Sequence, residues 1–354
     1  MKNILFMHYE LHFYRIPIYN KLSEKLKNQG VNLIIWPEKI LNNKNEINFN
    51  LIEKEFNMNN YKQTIDKYNI ECVINFLQPR SPSFYFYIKM ILYTSIIKRL
   101  PIIYYGHGLN LESKSIVNNI FYNSLHFFYS SIILYTPNEV TKLWNIHHKK
   151  IEIAYNTLDL SDRDNLITDT RINIRKSYDI NDEFIILFSG RIEKRKNIDI
   201  LIDFINKLNN KKIKLLVVGP TNDKNIEDEL TSNEKILYLG PVYDKKKMAE
   251  IFYISDIFSI PGHIGLGLIE AFYWGLPVLT LDVKHAPEIY YLDDSKNGFL
   301  LKDTTELNNK FLELSNNKIL LEKLSNNAQK TYEERANINN MINGFIISIK
   351  KVLG

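Results

Sequence analysis

DIFSIPGHIGLGLIEAFYWGLPVLT, residues 256–280, carries an apolar strand, a loop with three glycines and a helix in succession. A glycine loop at a helix start leaves backbone N–H groups unpaired and lets a phosphate approach the main chain. Glu270 follows Gly267 by three residues on the same helix face, where a carboxylate can accept hydrogen bonds from a diol. The alternative is a plain βα turn whose glycines serve close packing.

Short apolar runs alternate with segments of helical period on both sides of this stretch. Strands of this kind between helices indicate parallel sheets covered on both faces. The pattern therefore predicts an α/β protein with two Rossmann-like domains. The predicted strands are 3–7, 31–36, 72–77, 102–105, 132–135, 151–154, 184–188, 213–218, 236–239, 257–260 and 278–281. The predicted helices include 18–28, 83–98, 115–128, 139–145 and most of 306–353.

The length of 354 residues suits two domains rather than one core. The segment DLSDRDNLITDTRIN has no sustained apolar period and marks the boundary. The predicted division is a first domain over 1–160, a linker over 161–182, a second domain over 183–335 and a terminal helix over 336–354.

Charge and cysteine content bear on the location of the protein. The net charge of +5 belongs to residues 1–160, which hold 18 Lys/Arg against 12 Asp/Glu. A single cysteine excludes disulfides within the chain and favours a reducing compartment. Without a recognisable secretory signal or an apolar run of membrane-spanning length, we predict a cytoplasmic protein. The basic, aromatic segment 84–99 is either helix core or a peripheral contact with the inner face of the cytoplasmic membrane.

Glycines and polar residues follow five of the predicted strands. Ligands in open α/β sheets bind beyond the carboxyl ends of the strands, so these positions predict one cleft. They are Gly106, His107 and Gly108, then Gly190 and Arg191, Gly219 and Pro220, Gly240 and Pro241, and Pro261 and Gly262.

The cations of the segment RIEKRK, residues 191–196, lie between a strand and a helix. Arg191 and Lys196 are five residues apart, and a loop can turn both toward one diphosphate. The alternative is a basic surface turn, which is the favoured interpretation for Lys194 and Arg195.

Several motifs occur in the order and spacing of a known family. GRIEKRKN, LLVVGP, ILYLGPV, the 256–280 stretch, HAPEI and NGFLL resemble the retaining glycosyltransferases of family 4 over about 183–301. FYRIPIYNKLSEKLKNQG, YYGHGLN and IEIAYNTLD resemble the family more loosely. The resemblance implies the GT-B fold, in which parallel sheets face a central cleft and the last helix crosses back onto the first domain.

The resemblance also implies roles for individual residues. Arg191 and Lys196 match the catalytic cations that bind the diphosphate, Glu270 matches the ribose ligand, and His107 matches a histidine near the transferred sugar. Further donor-binding positions are Gly219, Gly240, Val242, Tyr243, Gly262, His263, Gly265, Leu266 and Gly267. Residues on the acceptor side are Tyr14, Arg15 and Asn110.

One position departs from the family pattern. The motif's first Glu, eight residues before Glu270, is Gly262 here, which puts the identity of the donor sugar in doubt. The loop resembles a variant found in some surface-polysaccharide transferases. His263 either takes over a sugar or phosphate contact or simply packs the loop.

The family implies front-face transfer with retention, in which cations and loop amides stabilise the leaving phosphate without a metal. We predict transfer of a hexose-type sugar from a UDP- or GDP-sugar to an oligosaccharide or lipid-linked acceptor of lipopolysaccharide, O-antigen or capsule. No other cofactor and no nucleic acid is expected. Asp162 and Asp164 form an Asp-x-Asp pair, but in the polar linker, and His147 and His148 are predicted at the surface.

Two alternatives remain open. A sugar-nucleotide 2-epimerase of similar fold would need acid and base carboxylates around the sugar, and Gly262 supplies none. A non-catalytic partner that binds a nucleotide sugar is compatible with the missing Glu.

Overall fold

The computed structural model describes residues 1–41, 46–77, 81–110, 115–208 and 212–354. The chain divides into two compact units. The N-terminal unit contains Met1–Asp159 and Ile338–Gly354, and the C-terminal unit contains Leu160–Asn337.

The N-terminal unit is built on a seven-stranded sheet in the order β3-β2-β1-β4-β5-β6-β7, with every strand pair parallel. Its strands β1 to β7 are Lys2–His12, Val31–Leu41, Asn50–Leu51, Ile70–Phe76, Ile102–Gly106, Ser131–Leu134 and Ile151–Ile153. Helices α1 to α4 are Ile16–Lys27, Met58–Lys67, Phe84–Leu92 and Ile116–Leu125, and a π-helical segment, Tyr93–Ile97, extends α3.

The C-terminal unit has a six-stranded parallel sheet in the order β10-β9-β8-β11-β12-β13. Strands β8 to β13 are Phe184–Ser189, Ile213–Val218, Ile236–Tyr238, Ile257–Ser259, Val278–Leu281 and Gly298–Leu301. Helices α5 to α11 are Arg171–Ser177, Ile198–Lys207, Lys224–Ser232, Lys245–Ile254, Gly267–Tyr273, Thr304–Asn316 and Lys318–Thr331. The last helix, α12, is Ile338–Leu353 and belongs to the N-terminal unit.

Both faces of the N-terminal sheet are covered, as a parallel sheet requires. One buried cluster joins β1 to α1 and α12 and includes Phe6, Tyr19 and Phe345, and a second cluster includes Trp36 and Tyr87. The helix α12 approaches β7 so closely at Gly344 that a Cβ there would overlap the Ile153 carbonyl. Together, the two parallel sheets confirm the predicted α/β class.

The polar segment before β8 is attached to the C-terminal unit by two arginines of α5. Nη2 of Arg171 and Nη2 of Arg175 each lie 2.8 Å from a carboxylate oxygen of Asp256. The same carboxylate accepts the Ile185 amide (2.7 Å) at the start of β8. Because one carboxylate satisfies all three donors, α5 is fixed against the sheet.

No helix in the described ranges has the length and apolar character needed to cross a bilayer.

Candidate functional site

The glycine loop before α9 presents three consecutive backbone amides. The N–H groups of Gly265, Leu266 and Gly267 have no hydrogen-bond acceptor among the residues that the structure describes. Adjacent unpaired amides form a concave site for an anion, because each N–H carries a partial positive charge. The loop can therefore bind a phosphate group through its main chain.

The turn that carries Lys196 is bonded directly to this loop. The Gly262 amide donates to the Lys196 carbonyl (3.0 Å), and the His263 amide donates to the Arg195 carbonyl (2.8 Å). The two segments predicted to contact one pyrophosphate thus lie side by side at the carboxyl ends of β8 and β11.

Lys196 is a half-buried cation. Its Nζ lies 5.7 Å from the centroid of the Phe188 ring and so close to Gly190 that a Cβ there would collide with it. The ammonium has no ion pair among the described residues. Burial lowers the pKa of Lys196 to about 8, with the charges of Arg195 and Arg191 as further causes. A bound diphosphate would supply the missing counter-charge.

Arg191 lies at the surface in this structure. Its side chain is 72% exposed, and Nη1 lies 3.5 Å from Oε1 of Glu193. Glu193 also accepts from Nε of Arg195 (2.7 Å), and this bond lowers the pKa of the carboxyl. An exposed pair of this kind is weak, so the Arg191 side chain can leave it for another anionic group.

Gly262 occupies the position at which the glycosyltransferases that the sequence resembles have the first Glu of their motif. The backbone packed against this position leaves no room for a side chain. A Cβ at 262 would overlap the Arg195 carbonyl oxygen and lie 2.8 Å from the Cα of Lys196. A glutamate at this position would therefore force the Lys196 turn away from the glycine loop.

We predict that Gly262→Ala lowers the free energy of unfolding by about 1–3 kcal/mol, because the contacting atoms are backbone and cannot rotate away. Gly265→Ala is the matched control, since its Cβ would meet the Ala286 Cβ at an ordinary 3.6 Å. Thermal unfolding of the two variants measures the difference. Equal unfolding midpoints would show that the turn and the loop are not tightly packed.

The two histidines near the glycine loop, His263 and His285, make different contacts. His285 donates from Nε2 to the Leu281 carbonyl (2.8 Å) and accepts the Ile264 amide at Nδ1 (3.3 Å), so it braces the loop. Burial lowers the pKa of His285, which keeps the ring neutral as this arrangement requires. His263 is half-exposed and uses Nδ1 to bond the Lys284 carbonyl (3.0 Å), so that Nε2 is left as an acceptor.

Glu270 lies in the first turn of α9 and is 9% exposed. Its Oε1 lies 3.3 Å from Nη2 of Arg163 but accepts no hydrogen bond within the described part of the chain. The contact thus meets the distance of an ion pair without the alignment of a hydrogen bond. Burial raises the pKa of Glu270, and the charge of Arg163 opposes this shift. The carboxylate keeps acceptor capacity for a ligand hydroxyl.

Arg163 is held in place by the same unit. Its Nη1 donates to the Lys245 carbonyl (3.0 Å), and the next amide, of Asp164, donates to the Tyr273 hydroxyl (3.1 Å). Tyr273 follows Glu270 by three residues on α9, so the segment around Arg163 covers this face of the helix.

Gly190, Gly219 and Gly240, which follow three neighbouring strands, lie side by side next to the Lys196 turn. The Gly219 amide donates to the Gly240 carbonyl (2.8 Å), and a Cβ at Gly219 would overlap the Gly190 carbonyl. Beyond them, Val242 is half-buried and Tyr243 is 79% exposed. These residues form an edge with an exposed ring that is available to stack on a planar group.

In the N-terminal unit, Arg15 is a buried cation surrounded by tyrosines. Its Nη1 donates to the Tyr105 hydroxyl (3.0 Å), and its guanidinium carbon lies 5.6 Å and 5.8 Å from the ring centroids of Tyr14 and Tyr135. No carboxylate pairs with it among the described residues. A guanidinium in this setting can bind an anionic group of a ligand.

His107 follows β5 and contacts the same tyrosine cluster. Its ring centroid lies 4.5 Å from that of Tyr135, and Nδ1 lies 2.7 Å from Oε1 of the buried Glu139. Asn110 is half-buried three residues farther along. The predicted residues Arg15 and His107 thus both contact Tyr135.

The sequence interpretation missed Glu139, Arg163 and His285 as parts of the site. Thr136 and Glu139 have the spacing of a capping box, which reveals a helix start but not the bond to His107. Arg163 carries no local signal, because Glu270 lies 107 residues away in sequence, and the loop amide that His285 accepts, from Ile264, is 21 residues away.

Comparison with known proteins finds a family similarity in the second half of the chain. Residues 170–331 match the family model for glycosyl transferases group 1. This segment is therefore similar to group 1 glycosyl transferases. It contains the Lys196 turn, the three free amides and Glu270.

The chain is also similar to curated proteins. Two curated Escherichia coli proteins, both described as the O-antigen biosynthesis glycosyltransferase WclY, are 24% identical over 193 residues, or 53% of this chain. The chain spans about half the length of these curated relatives, 52%.

Solved structures resemble the whole chain. A glycosyltransferase from Rickettsia africae superposes with a TM-score of 0.77 at 18% identity, over 100% of this chain and 99% of that one. HepE from Anabaena, solved in complex with UDP, gives 0.75 at 15% identity, over 99% and 100%. At these identities the likeness shows the fold alone, and it confirms the predicted GT-B fold.

Proposed function

We propose that this protein is a retaining glycosyltransferase that moves a hexose-type sugar from a nucleotide donor to a surface-glycan acceptor. The observation that carries the proposal is the bonding of the Lys196 turn to the glycine loop. It places a cation without a counter-charge beside three free amides. Glu270, with an oxygen that accepts no hydrogen bond, lies on the helix that follows. These are the groups that a diphosphate and a ribose diol need.

The proposed chemistry uses these groups as electrostatic stabilisers. As the glycosidic bond breaks, negative charge builds up on the diphosphate oxygen that leaves. Preorganised N–H donors and the Lys196 ammonium stabilise this charge without reorganising. We therefore propose that no metal ion or further cofactor is required, and that the nucleotide sugar acts as co-substrate.

For the donor, a UDP-sugar is the first choice. The structural relative HepE was solved with UDP, and the exposed Tyr243 ring can lie against a base. A GDP-sugar is the second choice, because an exposed ring such as that of Tyr243 can stack on a guanine as well as on a uracil.

For the acceptor, we propose a lipid-linked glycan of O-antigen, lipopolysaccharide or capsule. The curated relatives are named for O-antigen biosynthesis. The buried Arg15 guanidinium would suit an acceptor that carries an anionic group, as a lipid-linked phosphate does.

A donor panel tests this function. Binding and hydrolysis of UDP-, GDP- and dTDP-sugars are measured with and without EDTA, and the anomeric configuration of the released sugar is followed by NMR. Hydrolysis of one donor class with retention and with no loss in EDTA is the expected result. Formation of the 2-epimer would favour an epimerase. Binding without turnover, with any acceptor fraction, would favour a non-catalytic partner.

We also propose that the N-terminal unit contacts the cytoplasmic face of the membrane. Exposed apolar side chains cover α4 and the π-helical extension of α3, and ring centroids 6.2 Å apart join Phe84 to Phe121. Lys89 and Arg99 are exposed on the same segment. The exposed apolar residues are Tyr85, Leu92, Ile96, Ile97, Ile116, Val117, Ile120 and Phe121. Aromatic and basic side chains on one apolar surface favour an anionic bilayer interface.

We predict that the double variant Ile116→Asp, Val117→Asp lowers the partition into phosphatidylglycerol-containing vesicles at least tenfold. Each side chain is about 75% exposed, and burying one in the interface contributes roughly 1.5–3 kcal/mol. Co-sedimentation measures the partition. Ile319→Asp, at an 84% exposed position of the C-terminal unit, is the control and should bind as wild type does. Equal binding by the double variant would reject this surface.

A further inference from the structure

The loop that carries His107 is held by two hydrogen bonds at Gly108. The Gly108 amide donates to the Tyr104 hydroxyl (3.0 Å), and the Gly108 carbonyl accepts from Nε2 of His126 (2.7 Å). Burial lowers the pKa of His126 to about 4, so its ring stays neutral and keeps this donor. The backbone is thus fixed at Gly108, directly after His107, and Gly106, directly before it, belongs to β5 and pairs with Leu134.

Glu139 completes the restraint through its two oxygens. Oε2 accepts the amides of Tyr135 (2.9 Å) and Thr136 (3.2 Å), and Oε1 faces Nδ1 of His107 (2.7 Å). The carboxylate is 2% exposed. Since a carboxylate oxygen only accepts, Nδ1 of His107 must carry the hydrogen. Nε2 is then a lone-pair acceptor in the neutral ring.

His107 Nε2 has no hydrogen-bond partner among the described residues, and the side chain is 35% exposed. A buried carboxylate that orients an imidazole and fixes its tautomer leaves the second nitrogen for a ligand. In a protein that handles sugars, the matching group is a hydroxyl, which donates to this nitrogen.

We propose that Glu139 is a positioning residue that keeps His107 in the Nδ1–H tautomer, so that Nε2 accepts a hydrogen bond from a sugar hydroxyl. The substrate part of this inference rests on the proposed glycosyltransferase function, whereas the tautomer does not. The hydroxyl belongs either to the donor sugar or to the acceptor.

The variant Glu139→Gln should change the tautomer of His107 without disturbing the fold. The amide oxygen of Gln can still accept the Tyr135 and Thr136 amides, which keeps the helix cap. Its NH₂ group then faces Nδ1 and forces the hydrogen of His107 onto Nε2. Glu152→Gln is the matched control, because Glu152 lies in the same unit and pairs with Lys351.

Nitrogen-15 NMR of histidine-labelled protein reads the tautomer directly, and His107→Gln assigns the signal among the eight histidines. We expect Nδ1–H in wild type and in Glu152→Gln, and Nε2–H in Glu139→Gln. Nε2–H in the wild type, or one tautomer in both proteins, overturns the proposal.

Kinetics then locate the hydroxyl. We expect Glu139→Gln to lower turnover about tenfold, the effect of one lost hydrogen bond. Loss in both donor hydrolysis and transfer assigns the hydroxyl to the donor, and loss in transfer alone assigns it to the acceptor. A switched tautomer with unchanged kinetics overturns the substrate contact. A wild-type protein that binds no nucleotide sugar contradicts the proposed function instead, and the tautomer result would still stand.

Discussion

Replacing Lys196 with alanine should lower kcat/KM for the nucleotide donor by roughly 10²- to 10³-fold, the cost of removing one preorganised donor from a developing anion. Lys196 is the half-buried cation next to the three free amides, whereas Arg191 is largely exposed. We therefore expect Arg191→Ala to have the smaller effect of the two. Steady-state hydrolysis of the preferred donor measures both.

Two control variants separate this loss from unfolding. Lys196→Met removes a buried charge that has no counter-ion, so its unfolding temperature without donor should equal or exceed that of wild type. Lys194→Ala removes an exposed neighbour in the same turn and should keep wild-type turnover. A Lys196→Ala protein with near-normal turnover, or a Lys194→Ala protein as damaged as it, would contradict the assignment of the phosphate site.

Donor binding should also depend on pH through Lys196. Its pKa of about 8 in the free protein lies below the ordinary 10.5, so the ammonium is increasingly neutral above pH 8. A diphosphate binds the charged form, and affinity should fall as pH rises through 8. The linked stability has the opposite sign. Between pH 8 and 10.5 the unfolded chain holds more protons at this residue, so its contribution to the free energy of unfolding rises with pH.

The pattern of apolar runs and strand-end glycines predicted most of the C-terminal unit. Parallel strands with βα turns leave local signals, and the approach of Lys196 to the glycine loop follows from the adjacency of β8 and β11. The reason for the glycine at 262 could not be predicted from the sequence. The backbone atoms that occupy the place of a side chain there belong to residues 195 and 196, more than sixty residues earlier.

Features that depend on tertiary contacts, and not on a local sequence pattern, were not predicted. Strand β3 has two residues, and α2 carries many polar residues, so neither shows a clear period. The prediction that His147 lies at the surface is wrong. It is fully buried and bonds the Asn123 carbonyl (2.8 Å) through Nε2. Adjacent histidines looked solvated because the partner carbonyl lies 24 residues away.

Glu270→Gln should weaken donor binding about 10- to 100-fold, because a carboxylate that accepts from a diol makes charge-assisted bonds of roughly 1.5–3 kcal/mol.

Arg163→Gln tests how that carboxylate is kept ionised. Burial raises the pKa of Glu270, and Arg163 is the charged side chain that opposes the shift. Without Arg163 the pKa rises further. Other titratable groups from elements packed on α9 include Glu288, Tyr291 and Tyr332.

The expected signature of Arg163→Gln is a donor affinity that falls more steeply toward acidic pH than that of wild type. The sign follows from the raised pKa: as pH falls, Glu270 takes up a proton and loses one acceptor oxygen. Isothermal titration across pH 5.5–8 measures it. Tyr273→Phe removes the bond to the Asp164 amide without touching a charge, and its affinity should follow the wild-type profile. If Arg163→Gln loses affinity equally at every pH, Arg163 acts by packing alone, and an unchanged affinity in Glu270→Gln would remove the ribose contact itself.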